Sequence, residues 1–288
     1  MSDHSVTYRV HDFTCDGLGH LYTGNYLRYI HDAGRAAWRC WRSKAGIDGE
    51  MRAAWMPAKT VLDLNKPVFS GEEITLQTRM LAADTRSAHV YTTLHAGDSG
   101  DPAATCQVRW TVLNEEATED ASPAMPWLSS IEGSNEELTW LQPAAESSPP
   151  PGALNISRRV GWRDISPRGT VFAAAFMDFM VDSGIRAGEK YGWDFHHSMD
   201  EGFAFVARRQ WIDLHMPLHL NDEFDIQTWL YNVRRTTAYR VYVLRRKGDD
   251  RLVAYGHTYW AAVDVNTGRP VRIPEAFKED LADHIATD

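Results

Sequence analysis

One loop near the N-terminus holds the residues of this chain that are best suited to chemistry. Residues 16–20 read Asp-Gly-Leu-Gly-His, so a carboxylate is followed by a flexible glycine-containing run, and a helix is predicted to begin at Asn25. The first amides of a helix lack intrahelical acceptors and lie at the positive end of its dipole. They could stabilise an oxyanion formed on a substrate carbonyl, while Asp16 acts as nucleophile or as general base on a water.

Plainer roles for the same residues have to be weighed. Loop aspartates such as Asp16 often cap turns. A histidine that follows a glycine, as His20 does, is as often a packing residue as an acid or an orienting group. Tyr26 lies on the apolar face of the predicted helix, which favours a place in the core or in a pocket wall. Residue type and spacing alone leave the loop open between a structural and a catalytic role.

The elements around the loop indicate an α+β unit, in which a long helix is followed by an antiparallel meander that wraps it. Across residues 25–44 apolar residues recur at spacings of three and four, which predicts a helix, and Gly46 and Gly49 follow its end. Several of the predicted strands alternate apolar with polar residues, as expected for a sheet with one buried face. The predicted strands are Thr7–Phe13 before the loop, and Ala58–Leu64, Glu73–Ala82, Ala88–Ala96 and Ala104–Leu113 after the helix.

This arrangement occurs twice in the chain. When the sequence is shifted against itself by 150 residues, identical residues stay in one register without a gap. A single match means little, but an unbroken register is the signature of an internal repeat. The matches include Gly19 with Gly169, Asp32 with Asp182, Gly34 with Gly184, Pro67 with Pro217 and Trp110 with Trp260.

The repeat divides the chain into two domains and a connection. Residues 1–115 form the first copy and residues 155–288 the second. Residues 116–154 are rich in Glu, Ser and Pro, a composition that resists packing and predicts a linker. One helix on one curved sheet leaves a sheet edge exposed, so the two copies are expected to pair within the chain.

The two copies differ in the loop that could do chemistry. Ser166 stands where Asp16 stands, and Thr170 stands where His20 stands, so the second copy has lost both the carboxylate and the imidazole. Asp164 is two residues away and would need a different backbone path to replace Asp16. The prediction is a single active site in the first copy and a degenerate site in the second.

Composition argues against several classes of function. The 288 residues carry a formal net charge of -9, which is unlike a nucleic-acid-binding protein. Three scattered cysteines and irregularly spaced histidines predict neither a disulfide framework nor a metal site. Cys15 has no basic neighbour to lower its pKa and aligns with Ile165, so it is interpreted as structural. No apolar run reaches the length of about 18 residues that a membrane span needs, and no signal peptide is visible, so the expected location is the cytoplasm.

The loop also resembles a known family. The pattern Asp-x-x-Gly-His-x-x-x-x-x-Tyr ahead of a helix, here residues 16–26, is similar to the signature of hot-dog thioesterases of the 4-hydroxybenzoyl-CoA thioesterase type. Acyl-carrier-protein thioesterases with two hot-dog units in one chain are similar as well. The resemblance covers both halves, including residues 67–74 and 263–270. It implies a tandem double hot-dog fold that hydrolyses an acyl-CoA or acyl-carrier-protein thioester without a cofactor, and self-association of such units is a further expectation.

The resemblance also implies roles for single residues. The family's catalytic carboxylate falls on Asp16, and the histidine of the pattern falls on His20. The backbone amide that polarises the thioester falls on Thr23 or Gly24, and the family's usual Asn-Asn pair is replaced here by Tyr22 and Thr23. The implied site therefore consists of Asp16 and His20 as catalytic residues, Thr23 and Gly24 as amide donors, and Tyr22, Asn25 and Tyr26 as pocket residues.

Two other functions stay open at the level of sequence. Hot-dog hydratases and dehydratases use a carboxylate and a histidine five residues apart with Asn and Pro between them, whereas Asp16 and His20 are four apart without those residues. A non-catalytic acyl-binding protein is the other alternative, since a fold alone does not imply activity. Release of free thiol from acyl thioesters separates hydrolysis from both.

Overall fold

The computed structural model describes residues 3–46, 55–97, 100–112 and 148–287 of the chain. The chain divides into two compact units that largely follow the repeat. The first consists of the N-terminal half together with residues 172–175 and 213–217, and the second consists of the remainder. Each unit contains one long helix and a mainly antiparallel sheet, which confirms the predicted α+β class.

The sheet of the first unit has five strands in the order β1-β3-β4-β5-β2, and all neighbours in it are antiparallel. Side chains alternate between the buried and the solvent face along β3 and β4, as the sequence pattern predicts. Thr60 of β2 pairs with Val108 of β5, and Val108 pairs in turn with Val90 of β4. The strands are β1 (His4–Arg9), β2 (Trp55–Leu64), β3 (Glu73–Ala83), β4 (Ser87–Ala96) and β5 (Ala104–Val112).

Helix α1 (Thr23–Lys44) packs on this sheet against β1, β3 and β4. The stripe that the sequence predicts as apolar is buried, so helical periodicity and burial agree. Trp38 lies at the centre of an aromatic cluster, with ring centroids 5.2 Å from Trp41, 5.4 Å from Trp55 and 6.5 Å from Trp110. The buried stripe consists of Tyr26, Ile30, Ala33, Ala37 and Trp41.

The predicted boundaries were wrong at the N-terminal end of this unit. The first strand spans His4–Arg9 rather than Thr7–Phe13, because residues 12–14 form a turn of 3-10 helix in which the Thr14 amide bonds the His11 carbonyl at 2.8 Å. The helix begins at Thr23 rather than at Asn25. Gly49 and Leu113 lie outside the described residues.

The second unit repeats the sheet with one added strand. Its order is β7-β10-β9-β8, and both β6 and the short β11 pair with β8. The β9 strand pairs antiparallel with β10 and β8, as β6 does with β8, whereas β11 pairs parallel with β8. Helix α2 (Ala173–Lys190) corresponds to α1, and α3 (Phe195–Asp200) and α4 (Glu275–Asp280) are short. The strands are β6 (Leu154–Arg159), β7 (Phe203–Leu214), β8 (Glu223–Tyr231), β9 (Thr237–Arg246), β10 (Leu252–Asp264) and β11 (Ile285–Ala286).

The two units link their first strand to their long helix at the same position by different chemistry. In the first unit the Tyr8 hydroxyl donates a hydrogen bond of 2.8 Å to Asp32. In the second unit Arg158 forms an ion pair with Asp182. Both pairs are related by the 150-residue shift, so the link is retained while its partners have changed.

Most of the predicted linker, residues 116–154, lies outside the described residues, since the second unit is described from residue 148 and β6 starts at Leu154. The domain boundaries therefore stay predictions. Within the described ranges, no helix has both the length and the apolarity that crossing a membrane would require.

Candidate functional site

The loop of residues 15–21 folds into a tight turn in the first unit. Cys15 and Leu21 form an antiparallel bridge at its base. Inside it the Asp16 amide donates to the His20 carbonyl at 2.8 Å, and the Gly19 amide donates to the Asp16 carbonyl at 3.0 Å. Gly19 adopts a φ of +79°, which a side chain would disfavour, so the second glycine of the run is needed to close the turn.

The Asp16 carboxylate is held by only one of its two oxygens. Its Oδ1 accepts hydrogen bonds from the backbone amides of Leu18 at 2.9 Å and His20 at 3.0 Å. Its Oδ2 accepts none from the part of the chain that the structure describes, and the residue is exposed. The carboxylate is thus fixed in orientation while one oxygen stays available to a substrate or a water.

The N-terminus of α1 is tied to the start of this loop through the Thr14 carbonyl. That carbonyl accepts a bond from the Tyr22 amide at 3.0 Å and another from the Asn25 side-chain amide at 2.8 Å. Asp16 follows Thr14 by two residues, so these bonds set the loop against the first helical turn. The sequence predicts Asn25 as a pocket residue, whereas the structure shows it bracing the loop.

Two amides at the start of α1, those of the half-buried Thr23 and the buried Gly24, have no hydrogen-bond partner within the described ranges. Tyr22 precedes the helix and provides no side-chain cap. The amides of Thr23 and Gly24 have no acceptor among the residues described, while the next two amides, those of Asn25 and Tyr26, bond the Tyr22 carbonyl. Such amides at the positive end of a helix dipole favour a negatively charged oxygen.

The His20 side chain packs against the strand entry at residues 68–72 rather than against Asp16. His20 forms a backbone bridge with Phe69, and its ring meets the Phe69 ring edge-on with centroids 5.1 Å apart. The next amide, of Leu21, bonds the Val68 carbonyl at 2.7 Å, and the Phe69 amide bonds the Glu72 carboxylate at 2.7 Å. The structure brings the His20 amide to Asp16, while the imidazole forms no hydrogen bond with a described residue.

Tyr26 is 3% exposed and belongs to the core beneath the loop. Burial raises the pKa of its hydroxyl, a hydrogen bond with the Val68 backbone partly offsets this, and the carboxylates of Glu72 and Asp16 raise it further. Tyr26 therefore remains neutral in the core, and its place in a pocket wall stays a prediction.

The second unit keeps the turn without the carboxylate. The Ser166 amide donates to the Thr170 carbonyl at 2.8 Å and the Gly169 amide to the Ser166 carbonyl at 2.9 Å, as in the first unit. The Ser166 hydroxyl accepts from the Arg168 amide at 3.3 Å. Asp164 accepts from the Gly161 amide at 2.8 Å, so its carboxylate is engaged in its own turn rather than replacing Asp16.

The Cys15 thiol beside Asp16 is shifted away from its reactive form. Burial raises the pKa of the Cys15 thiol, which disfavours the thiolate. In the described ranges, no three His, Cys, Asp or Glu side chains are grouped so as to hold a metal ion.

Comparisons with known proteins identify the repeat. The family model of the thioesterase-like superfamily matches residues 9–131 and again residues 160–281. None of the curated proteins matches the chain in sequence.

Solved structures resemble the whole two-unit chain. An acyl-ACP thioesterase from Bacteroides thetaiotaomicron is 12% identical with a TM-score of 0.64, covering 90% of this chain and 97% of its own. A proposed oleoyl thioesterase from Lactobacillus plantarum is 13% identical with a TM-score of 0.71, covering 90% and 96%. A 12:0-ACP thioesterase from Umbellularia californica is 10% identical with a TM-score of 0.65, covering 90% and 94%. These similarities confirm the tandem double hot-dog fold.

Proposed function

The chain belongs to the thioesterase-like superfamily, and we propose that it hydrolyses acyl thioesters with Asp16 as the catalytic carboxylate. The observation that carries the proposal is the state of this carboxylate. Two amides of its own turn hold Oδ1, and Oδ2 has no partner among the described residues. A group placed in this way can attack a carbonyl carbon or take a proton from water.

The second unit supports this role over a purely structural one. A turn cap needs only an acceptor that reaches the following amides, and Ser166 supplies one in the same turn of the second unit. The carboxylate of Asp16 is therefore not required to form the turn. What Asp16 adds is a negative charge and a second oxygen that accepts no hydrogen bond from the described residues.

The proposed mechanism places the thioester carbonyl oxygen at the amides of Thr23 and Gly24. These amides and the helix dipole stabilise the negative charge that develops on that oxygen. If Asp16 is the nucleophile, its Oδ2 bonds to the carbonyl carbon, the carbon–sulfur bond breaks, the thiolate leaves and takes up a proton, and water then hydrolyses the anhydride. If Asp16 is the general base, it takes a proton from the attacking water and returns it to the departing thiolate.

The other predicted site residues support these groups in the proposal. Tyr22 and Asn25 set the loop against the helix through the Thr14 carbonyl. Tyr26 forms an apolar inner wall. His20 contributes the amide that holds Asp16, and a proton-transfer role for its imidazole is tested separately.

Thiol release from a panel of acyl-CoAs and acyl-carrier-protein thioesters tests the proposal. Asp16→Ser keeps the acceptor that the turn needs and removes the carboxylate, and we expect kcat/KM to fall by roughly 10²–10⁴-fold with the melting temperature little changed. Asp16→Asn is a second variant of matched size. Unchanged thiol release in both would remove Asp16 from the mechanism. Water addition to an enoyl thioester without thiol release would establish a hydratase instead.

A single turnover in ¹⁸O-labelled water separates the two roles of Asp16. As a general base it leaves its own oxygens unlabelled, and the product acid carries the label. As a nucleophile it forms an anhydride, and when water attacks that anhydride at the enzyme's carboxyl carbon, the label enters Asp16 and one of its original oxygens leaves with the product. Label found by mass spectrometry in the peptide that contains Asp16 therefore establishes the nucleophile and contradicts the general base.

A further inference from the structure

The interior of the second unit contains a buried positive charge without a negative partner. Arg240 on β9 is 6% exposed, yet no carboxylate of the described residues pairs with its guanidinium. Among the described residues, its guanidinium bonds only His284, from Nη1 to Nε2 at 2.9 Å. The other ring nitrogen of His284 donates to the Gly152 carbonyl at 3.0 Å, so Nε2 is the acceptor and the imidazole is neutral. A buried charge that faces only neutral groups is costly unless a further ion joins it.

A second buried polar group without a partner among the described residues lies on β7, the strand next to β10. Gln210 on β7 is 1% exposed, and neither its Oε1 nor its Nε2 has a hydrogen-bond partner in the part of the chain described. Buried amide groups are nearly always hydrogen-bonded, and an unpaired one carries its full desolvation cost. Gln210 therefore also calls for a missing partner.

The repeat places Gln210 of β7, Thr258 of β10 and Arg240 of β9 side by side across three strands, and these three residues are called the row. Arg240 pairs with Thr258 across β9 and β10, and β7 is the other neighbour of β10. In the first unit the corresponding residues are Thr60, Val108 and Val90, which pair directly with one another. Shifted by 150 residues, that row becomes Gln210, Thr258 and Arg240. The first unit fills the row with apolar and small side chains, whereas the second fills it with hydrogen-bonding groups and a cation.

The row faces helix α2. A Cβ on Gly256, which lies two residues from Thr258 on β10, would come within 2.6 Å of Met180 of this helix. The ring of Trp211 contacts the rings of Tyr255 and His257 on the opposite face of the sheet. Since neighbouring side chains alternate in a strand, Gln210 points to the side of α2.

The space at this row admits only a small group. Gly184 lets α2 approach the sheet so closely that a Cβ there would lie 3.0 Å from the Tyr242 hydroxyl and 3.3 Å from the Arg240 Cδ. The surroundings are also cationic, because Lys190 acts with Arg240 on His284. Any occupant must therefore be small and negatively charged.

We propose that Arg240, Gln210 and Thr258 form a buried binding site for a small carboxylate in the second unit. The planar guanidinium presents paired donors that match the two oxygens of a carboxylate, a geometry that a spherical ion does not use. The Gln210 amide and the Thr258 hydroxyl supply further donors. The site is separate from the Asp16 loop and does not depend on the proposed hydrolysis.

Binding of acetate and formate to the purified full-length protein tests the site. At constant ionic strength set with chloride, we expect saturating acetate to raise the melting temperature by about 2–4 °C. Titration with ¹³C-acetate, followed by NMR, gives the dissociation constant directly. Chloride alone gives the reference melting temperature, and inorganic phosphate at the same ionic strength is run in parallel. A shift of equal size with phosphate would overturn the assignment to a carboxylate.

Three variants decide whether the row is responsible. Arg240→Val installs the residue of the first unit and should abolish the acetate-dependent shift, and Gln210→Thr should weaken acetate binding at least about tenfold. Arg245→Val is the matched control, because it removes an exposed arginine from the same strand and should leave the shift intact. An acetate shift that persists in Arg240→Val, or that is absent from the unaltered protein, would overturn the proposal. Should Arg240→Val fail to fold, Gln210→Thr and Arg240→Lys give the same decision.

Discussion

The two copies of the turn before the long helix share a backbone and differ in chemistry. In both, the first residue of the turn bonds the carbonyl four residues on and accepts a bond from the amide three residues on. The first copy adds a carboxylate with a spare oxygen and an asparagine brace from Asn25, while the second has Ser166 and Ala175 at those positions. The hydrogen bonds that fold the turn are thus separable from the groups that could act on a substrate.

The largest effect on kcat/KM is expected when the first residue of each turn is replaced by its counterpart in the other copy. We expect Asp16→Ser to lower kcat/KM by about 10³-fold, and Ser166→Asp to leave it within about twofold, because only the first copy has the brace of Asn25. Steady-state thiol release measures both. A comparable loss from both exchanges would show that the two turns contribute equally and would contradict a single site.

Removal of the asparagine brace should have the next largest effect. Asn25→Ala, which installs the residue type of the second copy, deletes the bond to the Thr14 carbonyl and should lower kcat/KM by roughly 10–100-fold through misplacement of Asp16. Asn65→Ala is the control, since Asn65 also donates its side-chain amide to a backbone carbonyl, that of Pro102, away from the loop. If both variants lose activity equally, the brace has no specific role.

The helices differ in their response to acid. Burial lowers the pKa of His31 on α1 to about 3, with Arg35 and Arg28 lowering it further, and the second copy has Val181 at this position. Since the unfolded chain takes up a proton below about pH 6.5 while the folded chain does not until near pH 3, His31 reduces stability as the pH falls through this window.

His31→Val should therefore flatten the pH dependence of unfolding. We expect the loss of unfolding free energy between pH 6.5 and pH 5 to shrink by up to about 2 kcal/mol. Urea unfolding at the two pH values measures it. An identical slope in the variant and the unaltered protein would show that His31 is protonated in the folded chain or does not contribute.

The link between first strand and helix should respond differently to salt in the two copies. Tyr8→Phe removes a hydrogen bond to Asp32, and Arg158→Met removes the ion pair with Asp182; each should cost about 1 kcal/mol or less. Because salt screens exposed ion pairs, 1 M NaCl should reduce the loss of unfolding free energy caused by Arg158→Met. The loss caused by Tyr8→Phe should stay unchanged. Equal salt dependence of the two variants would contradict this distinction.

The smallest effect on kcat/KM is expected at His20, which is replaced by Thr170 in the second copy of the turn. His20→Thr installs the residue of the second copy and keeps the amide that holds Asp16, so kcat/KM should stay within about threefold. The pH profile of kcat/KM is the measurement that separates the roles. A fall of about 100-fold in kcat/KM, together with the disappearance of one limb of its pH profile, would show that the imidazole transfers a proton.

The sequence predicts the secondary-structure elements well, and it shows that only the first copy of the turn carries a carboxylate, because both depend on patterns along the chain. Helical spacing identifies the buried stripe from Tyr26 to Trp41, and the 150-residue shift identifies Ser166 as the partner of Asp16. The brace of Asn25 could not be predicted, since its acceptor is the backbone carbonyl of Thr14 and carries no residue-type signal. The position of the first strand was misplaced for a related reason, because the 3-10 turn at residues 12–14 has no distinct pattern.

Arg240 shows another limit of sequence reasoning. A strand pattern places it on one face of β9, but burial with only neutral neighbours depends on which side chains three adjacent strands bring together. Reading the row across both copies would have shown valine replaced by arginine. Comparison of repeats can therefore reveal buried polar groups that periodicity within one strand does not.

The shared acceptor at Thr14 has a consequence for motion in the first unit. Because the Tyr22 amide and the Asn25 side chain both bond one carbonyl, the turn and the first helical residues are expected to open and close together rather than separately. Hydrogen exchange should then show that the amides of Leu18 and His20 exchange at the same rate as the hydrogen-bonded amides of Tyr22 and Asn25. A displacement of α1 by an incoming substrate would carry the carboxylate with it, so the distance between carboxylate and helix amides would be conserved during turnover.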